Sequence, residues 1–391
     1  MSGDHPVLNY LRAQQDEMIE LVKDLVAMET PSTDPASQAA ILARLRDEFE
    51  QLDYRVIRLP GRNSGGHLYA APPRRGKHQP AQLMIGHCDT VWPVGTLESM
   101  PLQIEEGTLR GPGVYDMKAG LAEIVYALRC IRGLGLEAEV APLCFINSDE
   151  EIGSRESTRY LRALAQRVER CMVLEPSLGR SGKIKTARKG VGRFTVTVQG
   201  KAAHAGLDPG AGASAILELS HVIQKLFELN DPEHGTSVNV GMIDGGVRPN
   251  VIAPESRAVI DVRVQTRADA ERIEASIHAL KAETPGVTLR IEGAIGRPPM
   301  EATEANQQLW RVAQTLGDEL GLELEQATAG GGSDGNTTSL YSATLDGLGA
   351  VGDGAHASHE FIEIERLCER CALLTLLLLT PSLDSLPKRR N

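Results

Sequence analysis

This sequence of 391 residues has few aromatic side chains, no excess of positive charge and no long apolar run. Aromatic residues make up 4% of the chain, too few for the stacking platforms that bind single-stranded nucleic acids. Lys and Arg number 41 against 52 Asp and Glu, and the formal net charge is −11. Such a chain has no general attraction to phosphate backbones or anionic lipid surfaces. The composition therefore argues against a nucleic-acid-binding protein.

Membrane-spanning segments are also missing. The longest apolar run, at 371–379, is interrupted by Thr375 and closed by Pro381. A membrane span needs roughly 20 apolar residues, so we interpret this run as a buried terminal helix. Residues 1–5 show no basic segment followed by an apolar one, and we therefore expect a cytoplasmic protein without a secretory signal.

Cysteine is sparse. The six cysteines fit reduced core residues in a cytoplasmic chain of this size. Cys368 and Cys371 form a C-x-x-C, but it lies within a helical pattern and no second pair completes a tetrahedral metal site. We favour simple packing for both thiols.

The first part of the chain alternates between helical and strand patterns. Apolar residues recur at helical spacing in some stretches, and short β-rich runs lie between them. This alternation indicates an α/β layer architecture. The predicted helices lie near 16–30, 37–52, 121–131 and 158–164, and the predicted strands near 55–59, 83–86, 143–147 and 171–174.

From Val191 onwards the pattern changes to paired strands with a period of two. The order is β-α-β-β-α-β, the split βαβ unit of a ferredoxin-like domain. A helical period returns after Pro298 and Pro299, so we predict one α/β domain from 1–187 and 300–391, interrupted by an inserted domain at 188–299. The inserted strands are predicted at 194–198, 237–243, 257–265 and 288–292, and its helices at 213–229 and 269–282.

Polar side chains follow the predicted strands of the α/β domain, or lie in glycine-rich loops. Open α/β sheets bind their ligands at such strand ends. Taken alone, each of these polar segments also has a structural explanation. Asp116 could cap a helix, and the acids at 149–151 could form a solvated turn. Clustered carboxylates, however, repel unless a cation or a shared proton compensates. Two histidines and several carboxylates suit zinc, cobalt or manganese; the candidates are His87, Asp89, Asp116, Asp149, Glu150, Glu151, Glu175 and His356.

The order of seven motifs carries a family resemblance. Along the chain they read H-x-D, G-P-G-x-x-D-x-K-x-G, D-E-E-x-G-S, E-P, G-K-A-x-H-A-G, G-G-S-D and G-x-H-x-x-x-E. This order resembles the co-catalytic zinc exopeptidase family that contains carboxypeptidase G, acetylornithine deacetylase, succinyl-diaminopimelate desuccinylase and aminoacylase. The resemblance covers 16–379, and the G-R-P-P run at 296–299 looks most like the carboxypeptidase G branch.

The resemblance implies both a fold and a metal centre. The fold is a zinc-exopeptidase-like catalytic domain, a mixed sheet flanked by helices, with an inserted ferredoxin-like dimerisation and lid domain. The centre holds two zinc ions, or cobalt or manganese. His87, Asp116 and Glu175 would bind one metal; Asp116, Glu151 and His356 would bind the other. The peptide bond after the bridging Asp116 is typically cis in this family.

Catalytic roles also follow from the resemblance. Glu150 matches the general base that takes a proton from a shared water and returns it to the leaving amine. Asp89 would orient His87. His204, in the inserted domain, matches a residue that relatives contribute to the partner subunit's site, where it would stabilise an oxyanion together with Asn250. The resemblance thus implies a homodimer formed through the inserted domain.

Substrate contacts are implied at three places. Arg263, Arg297 and the backbone of Gly331 and Gly332 lie where relatives bind the substrate carboxylate. An Arg fork suits a carboxylate because it donates two parallel hydrogen bonds.

We therefore expect a dinuclear zinc hydrolase that cleaves an amide bond next to a free carboxylate and releases a glutamate-type amino acid from a small molecule or short peptide. An N-acyl amino acid deacylase remains an alternative, since it uses the same metals on a small acyl group. A metal-binding or scaffold protein without catalysis is a third possibility. All five predicted ligands, Glu150 and His204 are present, which argues against it.

Overall fold

The computed structural model describes residues 5–76 and 79–385. Most of the N-terminal segment considered above, residues 1–4, lies outside the described residues. The chain divides into two compact units, here called the first and the second unit. The first unit takes the described residues of Met1–Ala187, Ala302–Ala329 and Ser333–Asn391; the second takes Arg188–Glu301 and Gly330–Gly332.

Several helices begin directly after a polar side chain that caps them. Thr303, for example, accepts a hydrogen bond from the N–H of Asn306, which satisfies one of the free donors at the helix start. The apolar run that was predicted as a terminal helix lies within the last helix and is mostly buried. In chain order the helices are α1 (Pro6–Ala13), α2 (Gln15–Ala27), α3 (Ala39–Gln51), α4 (Ala119–Gly133), α5 (Thr158–Ala165), α6 (Ala215–Phe227), α7 (Arg267–His278), α8 (Glu304–Leu320), α9 (Asp334–Thr338) and α10 (Ile364–Leu379).

The strands are shorter on average than the helices. In chain order they are β1 (Arg55–Leu59), β2 (His67–Ala71), β3 (Ala81–His87), β4 (Gln103–Glu105), β5 (Thr108–Arg110), β6 (Ala141–Asn147), β7 (Arg170–Val173), β8 (Ile184–Arg188), β9 (Gly190–Gln199), β10 (Ser237–Gly245), β11 (Glu255–Val264), β12 (Thr288–Arg297), β13 (Gln326–Ala329), β14 (Ala343–Leu345), β15 (Gly352–Asp353) and β16 (Phe361–Glu363).

A six-stranded mixed sheet forms the centre of the first unit, in the order β1-β2-β6-β3-β7-β14. Strands β6, β3, β7 and β14 run parallel to one another. Strand β2 is antiparallel to β6, and β1 is antiparallel to β2. Every residue of β3 and β6 is buried, because both faces of the sheet are covered. One face packs on helices that include α4 and α10, as at Met84, and the other on α5, as at Leu83 and Leu161.

Two smaller sheets complete the first unit. Strands β8 and β13 pair with each other, and β15, β16, β5 and β4 form a four-stranded sheet in that order. The loop between β15 and β16 carries His356. This small sheet therefore holds both ends of a loop that the sequence marks as part of the site.

The second unit is a four-stranded antiparallel sheet in the order β10-β11-β9-β12. Along β9 alternate residues are buried, including Phe194, Val196 and Val198, as expected for a sheet covered on one face. Buried side chains of α6 and α7 pack on that face. The element order β9-α6-β10-β11-α7-β12 is the predicted β-α-β-β-α-β. The predicted fold class, α/β with an inserted ferredoxin-like unit, is confirmed.

Among residues 5–76 and 79–385, no helix is both long and apolar enough to cross a membrane. All six cysteines are free thiols and all are buried. Cys368 and Cys371 lie on α10 in the main core, in agreement with the packing interpretation.

Candidate metal centre

Three of the predicted site segments meet at one edge of the central sheet. His87 is the last residue of β3, the acids at 149–151 follow β6, and Glu175 follows β7. These three strands are parallel neighbours in the order β6-β3-β7. Their carboxyl ends therefore lie side by side, which is where open α/β sheets bind ligands.

Asp116 reaches this edge from a glycine-rich turn before α4. Gly113 has a φ of 72°, and a Cβ at this position would lie 2.5 Å from Cγ2 of Thr90. Only glycine fits both the left-handed backbone and the close approach. The peptide bond between Asp116 and Met117 is cis, as the family resemblance implied.

His356 is delivered by the loop between β15 and β16. Its φ is 61°, in the left-handed region that a non-glycine residue seldom occupies. Gly354, two residues earlier, has a φ of 82°. Unusual backbone of this kind persists where surrounding contacts hold it, and it concentrates at functional sites.

Asp116 lies between two histidines, with one carboxylate oxygen facing each. Oδ1 of Asp116 is 3.2 Å from Nε2 of His87, and Oδ2 is 3.4 Å from Nε2 of His356. Nε2 of His87 is also 3.4 Å from Oε1 of Glu175. Nε2 of His356 is 3.1 Å from Oε2 of Glu151. The structure thus brings together two overlapping sets of side chains that share Asp116.

The donor atoms of these side chains suit a metal ion. One ligand atom each from His87, Asp116 and Glu151 lie within 4.8 Å of one another, and the same holds for His87, Glu150 and Glu175. Nδ1 of His87 is 2.9 Å from the carbonyl oxygen of Asp89, so its N–H donates there. Nε2 is then the nitrogen that faces the carboxylates. Imidazole and carboxylate ligands fit zinc, cobalt or manganese.

The electrostatics of the cluster favour positive charge. Burial alone would lower the pKa of His87, but hydrogen bonds to Asp116, Asp89 and Glu175 raise it well above the ordinary value. Hydrogen bonds to Asp116 and Glu151 raise the pKa of His356 to about 10. Burial would raise the pKa of Asp116, yet its hydrogen bonds to the two histidines hold that pKa below its usual range. The carboxylates therefore stabilise a cation here.

Asp89 connects two of the site segments. Its buried carboxylate accepts hydrogen bonds from the hydroxyl of Ser32 at 2.6 Å and from the backbone N–H groups of Glu150 at 3.2 Å and Glu151 at 3.1 Å. Towards His87 the backbone carbonyl oxygen of Asp89 is nearer to Nδ1, at 2.9 Å, than Oδ1 is, at 3.5 Å. Asp89 thus touches the imidazole mainly through its main chain, and its carboxylate holds the acidic loop.

The other predicted residues belong to the second unit. Nδ1 of His204 accepts hydrogen bonds from the N–H groups of Gly206 and Leu207, both at 3.1 Å. The backbone segments that contain His204 and Asn250 are adjacent, because the N–H of Ala205 donates a hydrogen bond to the carbonyl oxygen of Asn250 at 3.0 Å. His204 and Asn250 are therefore neighbours in the fold.

Arg263 and Arg297, the two predicted substrate arginines, lie on strands of the second unit's sheet. Arg263 on β11 pairs with Val191 of β9, and Arg297 on β12 pairs with the same residue after a register shift in β12, so both lie opposite one position of β9. The guanidinium of Arg263 donates to both carboxylate oxygens of Asp261, at 2.8 and 3.1 Å. The carbonyl of Gly331 accepts a hydrogen bond from Arg188 at 3.2 Å, and Gly332 follows it in the same loop.

Sequence reasoning assigned no role to two buried side chains beside the site. Glu360 appeared only as the last letter of the G-x-H-x-x-x-E motif, yet it is 1% exposed, and burial raises its pKa to about 7. Lys118 is also 1% exposed, and its Nζ donates to the carbonyl of Met28 at 2.8 Å. Both lie in recognised motifs, so the signal was available, but their partners are remote in sequence.

Comparisons with known proteins agree with this architecture. Residues 186–286 match the family described as a peptidase dimerisation domain. Carboxypeptidase G2 of Pseudomonas sp. (strain RS-16) is 26% identical over 378 residues, which cover 94% of this chain and 89% of that protein. Succinyl-diaminopimelate desuccinylase of Alkalilimnicola ehrlichii is 28% identical over 365 residues, with 88% of this chain and 94% of that protein covered.

The fold also matches solved structures over nearly its full length. The crystal structure of aminopeptidase PepT from Bacillus cereus superposes with a TM-score of 0.79 at 22% identity, covering 93% of this chain and 98% of that one. Over nearly its full length the chain is thus similar to M20-type peptidases and amide hydrolases, in line with the resemblance carried by the order of the seven motifs. These relatives indicate a hydrolase of the metallopeptidase type.

Proposed function

We propose that this protein is a dinuclear zinc hydrolase that cleaves an amide bond next to a free carboxylate and releases a glutamate-type amino acid. The observation that carries this proposal is the position of Asp116, with one oxygen towards His87 and the other towards His356. A carboxylate shared in this way is suited to bridge two cations. His87, Asp116 and Glu175 would hold one zinc ion; Asp116, Glu151 and His356 would hold the other.

Two zinc ions held by these residues would supply the Lewis-acid chemistry: they would lower the pKa of a bound water and polarise the scissile carbonyl. The chain supplies the proton transfers. Glu150, 8% exposed and adjacent to Glu151, takes the proton from the attacking water and later gives it to the leaving amine. The Asp89 carboxylate fixes the backbone N–H of Glu150, which keeps this side chain at the site.

The substrate class rests on the second unit and on one relative. Arg263 and Arg297 lie opposite one position of β9, where a pair of guanidinium groups can bind a carboxylate. The backbone of Gly331 and Gly332 would approach the substrate from the neighbouring loop. The carboxypeptidase G2 relative, at 26% identity, supports removal of a C-terminal residue, and the resemblance of the G-R-P-P run to the carboxypeptidase G branch implies that this residue is of the glutamate type.

An N-acyl amino acid deacylase is the second candidate. The succinyl-diaminopimelate desuccinylase relatives, at 28% and 29% identity, favour it. The same metal ligands and the same Glu150 would serve, because both reactions hydrolyse an amide bond. A release assay over a panel separates the two: hydrolysis of folate-like and peptidyl-glutamate substrates supports a carboxypeptidase, and selective hydrolysis of N-succinyl or N-acetyl amino acids supports a deacylase.

Removal of metal should abolish hydrolysis. We expect a chelator to bring activity on the best panel substrate to background, and added zinc or cobalt to restore it, because the water is otherwise too weak a nucleophile at neutral pH. Zinc content is measured on the same samples by atomic emission. Added Mg²⁺ serves as the control, since imidazole and carboxylate ligands at this spacing do not suit it. Full activity at a zinc content near zero would contradict the proposal.

We propose further that residues 188–299 form a dimerisation and lid domain. β10 is an edge strand of the second unit's sheet, and Met242 and Ile243 on it are 68% and 65% exposed. Ile216 and Leu217 on α6 are also exposed. An exposed strand edge with apolar side chains favours pairing with a second copy. In such a dimer His204 and Asn250 would stabilise the oxyanion in the partner's site.

The dimer proposal predicts the behaviour of one charged variant. Ile243→Glu should convert the dimer to a monomer, because an isologous contact places like charges opposite each other. The monomer should keep its zinc but lose hydrolysis, since His204 acts on the partner. Light scattering, zinc content and the release assay measure the three effects. Ile104→Glu is the matched control, because Ile104 is a 52% exposed isoleucine on edge strand β4 of the first unit. A fully active monomeric Ile243→Glu would refute the trans role.

A further inference from the structure

Glu360 places a buried carboxylate among four N–H donors. Its Oε1 accepts hydrogen bonds from the backbone N–H groups of Tyr115 at 2.9 Å and Asp116 at 3.0 Å. Its Oε2 accepts the backbone N–H of Gly113 at 2.8 Å and the indole N–H of Trp92 at 2.9 Å. Buried N–H groups need acceptors, and a carboxylate is the acceptor that can take this many at once.

These contacts join three segments that carry predicted metal ligands. Trp92 lies in the loop that follows His87, and Gly113 to Asp116 form the turn of the shared carboxylate. Glu360 itself lies four residues after His356, directly before β16. One side chain therefore fixes the mutual position of three loops that sequence separates by up to 268 residues.

We propose that Glu360 is a positioning residue that aims the Asp116 carboxylate between the two histidines. It accepts hydrogen bonds from the N–H groups of Gly113, Tyr115 and Asp116. These bonds fix the peptide planes from which the Asp116 side chain projects. The inference rests on the dinuclear site proposed above. Partners that orient a ligand in this way commonly change metal affinity by about 10- to 100-fold when they are altered.

Glu360→Gln tests this role with little change in shape. A glutamine amide has one acceptor oxygen, and its NH₂ group would face N–H donors, so about half of the hydrogen bonds are lost. We expect folded, metal-free Glu360→Gln to bind Zn²⁺ about 10- to 100-fold more weakly in competition with a chelator. We also expect an altered visible absorption spectrum with Co²⁺. A purely structural role would lower the melting temperature without changing either metal readout.

Glu218→Gln is the matched control. Glu218 is likewise fully buried and accepts backbone N–H groups, from Glu283 and Thr284, but it lies in the second unit. Its Zn²⁺ affinity and Co²⁺ spectrum should equal those of the unchanged protein.

The outcomes separate this inference from the proposed function. If the unchanged protein binds no zinc, the dinuclear proposal fails. If it binds two ions and Glu360→Gln binds them with the same affinity and spectrum, only the role of Glu360 fails. If Glu360→Gln does not fold, Trp92→Phe decides, since it removes one donor from the carboxylate. A several-fold weaker Zn²⁺ affinity in Trp92→Phe supports the role, and an unchanged affinity overturns it.

Discussion

Glu150→Gln should lower kcat by about 100-fold or more while both metal ions remain bound, because the variant keeps the shape of the side chain but has no basic carboxylate. A carboxylate oxygen of Glu150 lies within 4.8 Å of a ring nitrogen of His87 and of a carboxylate oxygen of Glu175. The backbone N–H of Glu150 donates a hydrogen bond to the Asp89 carboxylate. Steady-state kinetics on the best panel substrate and zinc content on the same sample measure the effect. KM should change far less than kcat, since the proton is transferred only in the reaction.

Glu123→Gln provides the control for this experiment. Glu123 is a buried glutamate on α4, and burial raises its pKa well above the ordinary value. Burial disfavours its charged form, so a neutral glutamine of the same shape is a mild replacement there. We expect unchanged kcat in this variant. If Glu150→Gln were as active as Glu123→Gln, another group would have to act as the base.

Asp116→Ala should remove the metal centre as a whole. Each oxygen of Asp116 faces a different histidine, so the substitution takes a ligand from both sets at once. We expect the affinity for zinc to fall by at least roughly 100-fold, beyond what loss of an outer hydrogen bond causes. Hydrolysis should fall to background at zinc concentrations that saturate the unchanged protein. Isothermal titration of the metal-free proteins measures affinity and stoichiometry.

Two variants calibrate the Asp116 result. Asp353→Ala removes a carboxylate that lies three residues before His356 in the sequence. Its Oδ1 accepts a hydrogen bond from the N–H of Gly354 at 2.8 Å. Its zinc stoichiometry should stay at two. His356→Ala should lose one ion and retain the other, because His356 belongs to one set only. An Asp116→Ala protein that still binds two ions tightly would contradict a shared carboxylate.

Local patterns predicted the regular elements well where the apolar period was strong. β1 was predicted at 55–59 and spans Arg55–Leu59, and α3 was predicted at 37–52 and spans Ala39–Gln51. Short elements with weak periods were missed, among them α1, β2 and β14. β14, for instance, has three residues, and it is a strand because it pairs with β7 from a distant part of the chain. Such pairing is decided by the sheet and leaves little trace in local sequence.

The candidate site divides in a similar way. His87, Asp116, Glu151, Glu175 and His356 could each be named from a motif, because chemistry restricts the residue types at these positions. Neither composition nor spacing indicated that Glu360 accepts four N–H groups from two other segments. Hydrogen bonds to backbone N–H groups do not constrain the identity of the donating residues, so their partners cannot be recognised in one sequence.

The sequence by itself determined which residues are candidates for metal binding, the order of the motifs and the change from an α/β to a β-α-β-β-α-β pattern. Only the tertiary structure decided that the carboxyl ends of β6, β3 and β7 lie side by side and that Asp116 turns one oxygen to each histidine. The reason is physical: apolar periodicity and ligand chemistry are local properties of the chain. The orientation of a carboxylate, by contrast, depends on contacts between segments that are distant in the sequence. His356 and Glu151, for example, are separated by 205 residues.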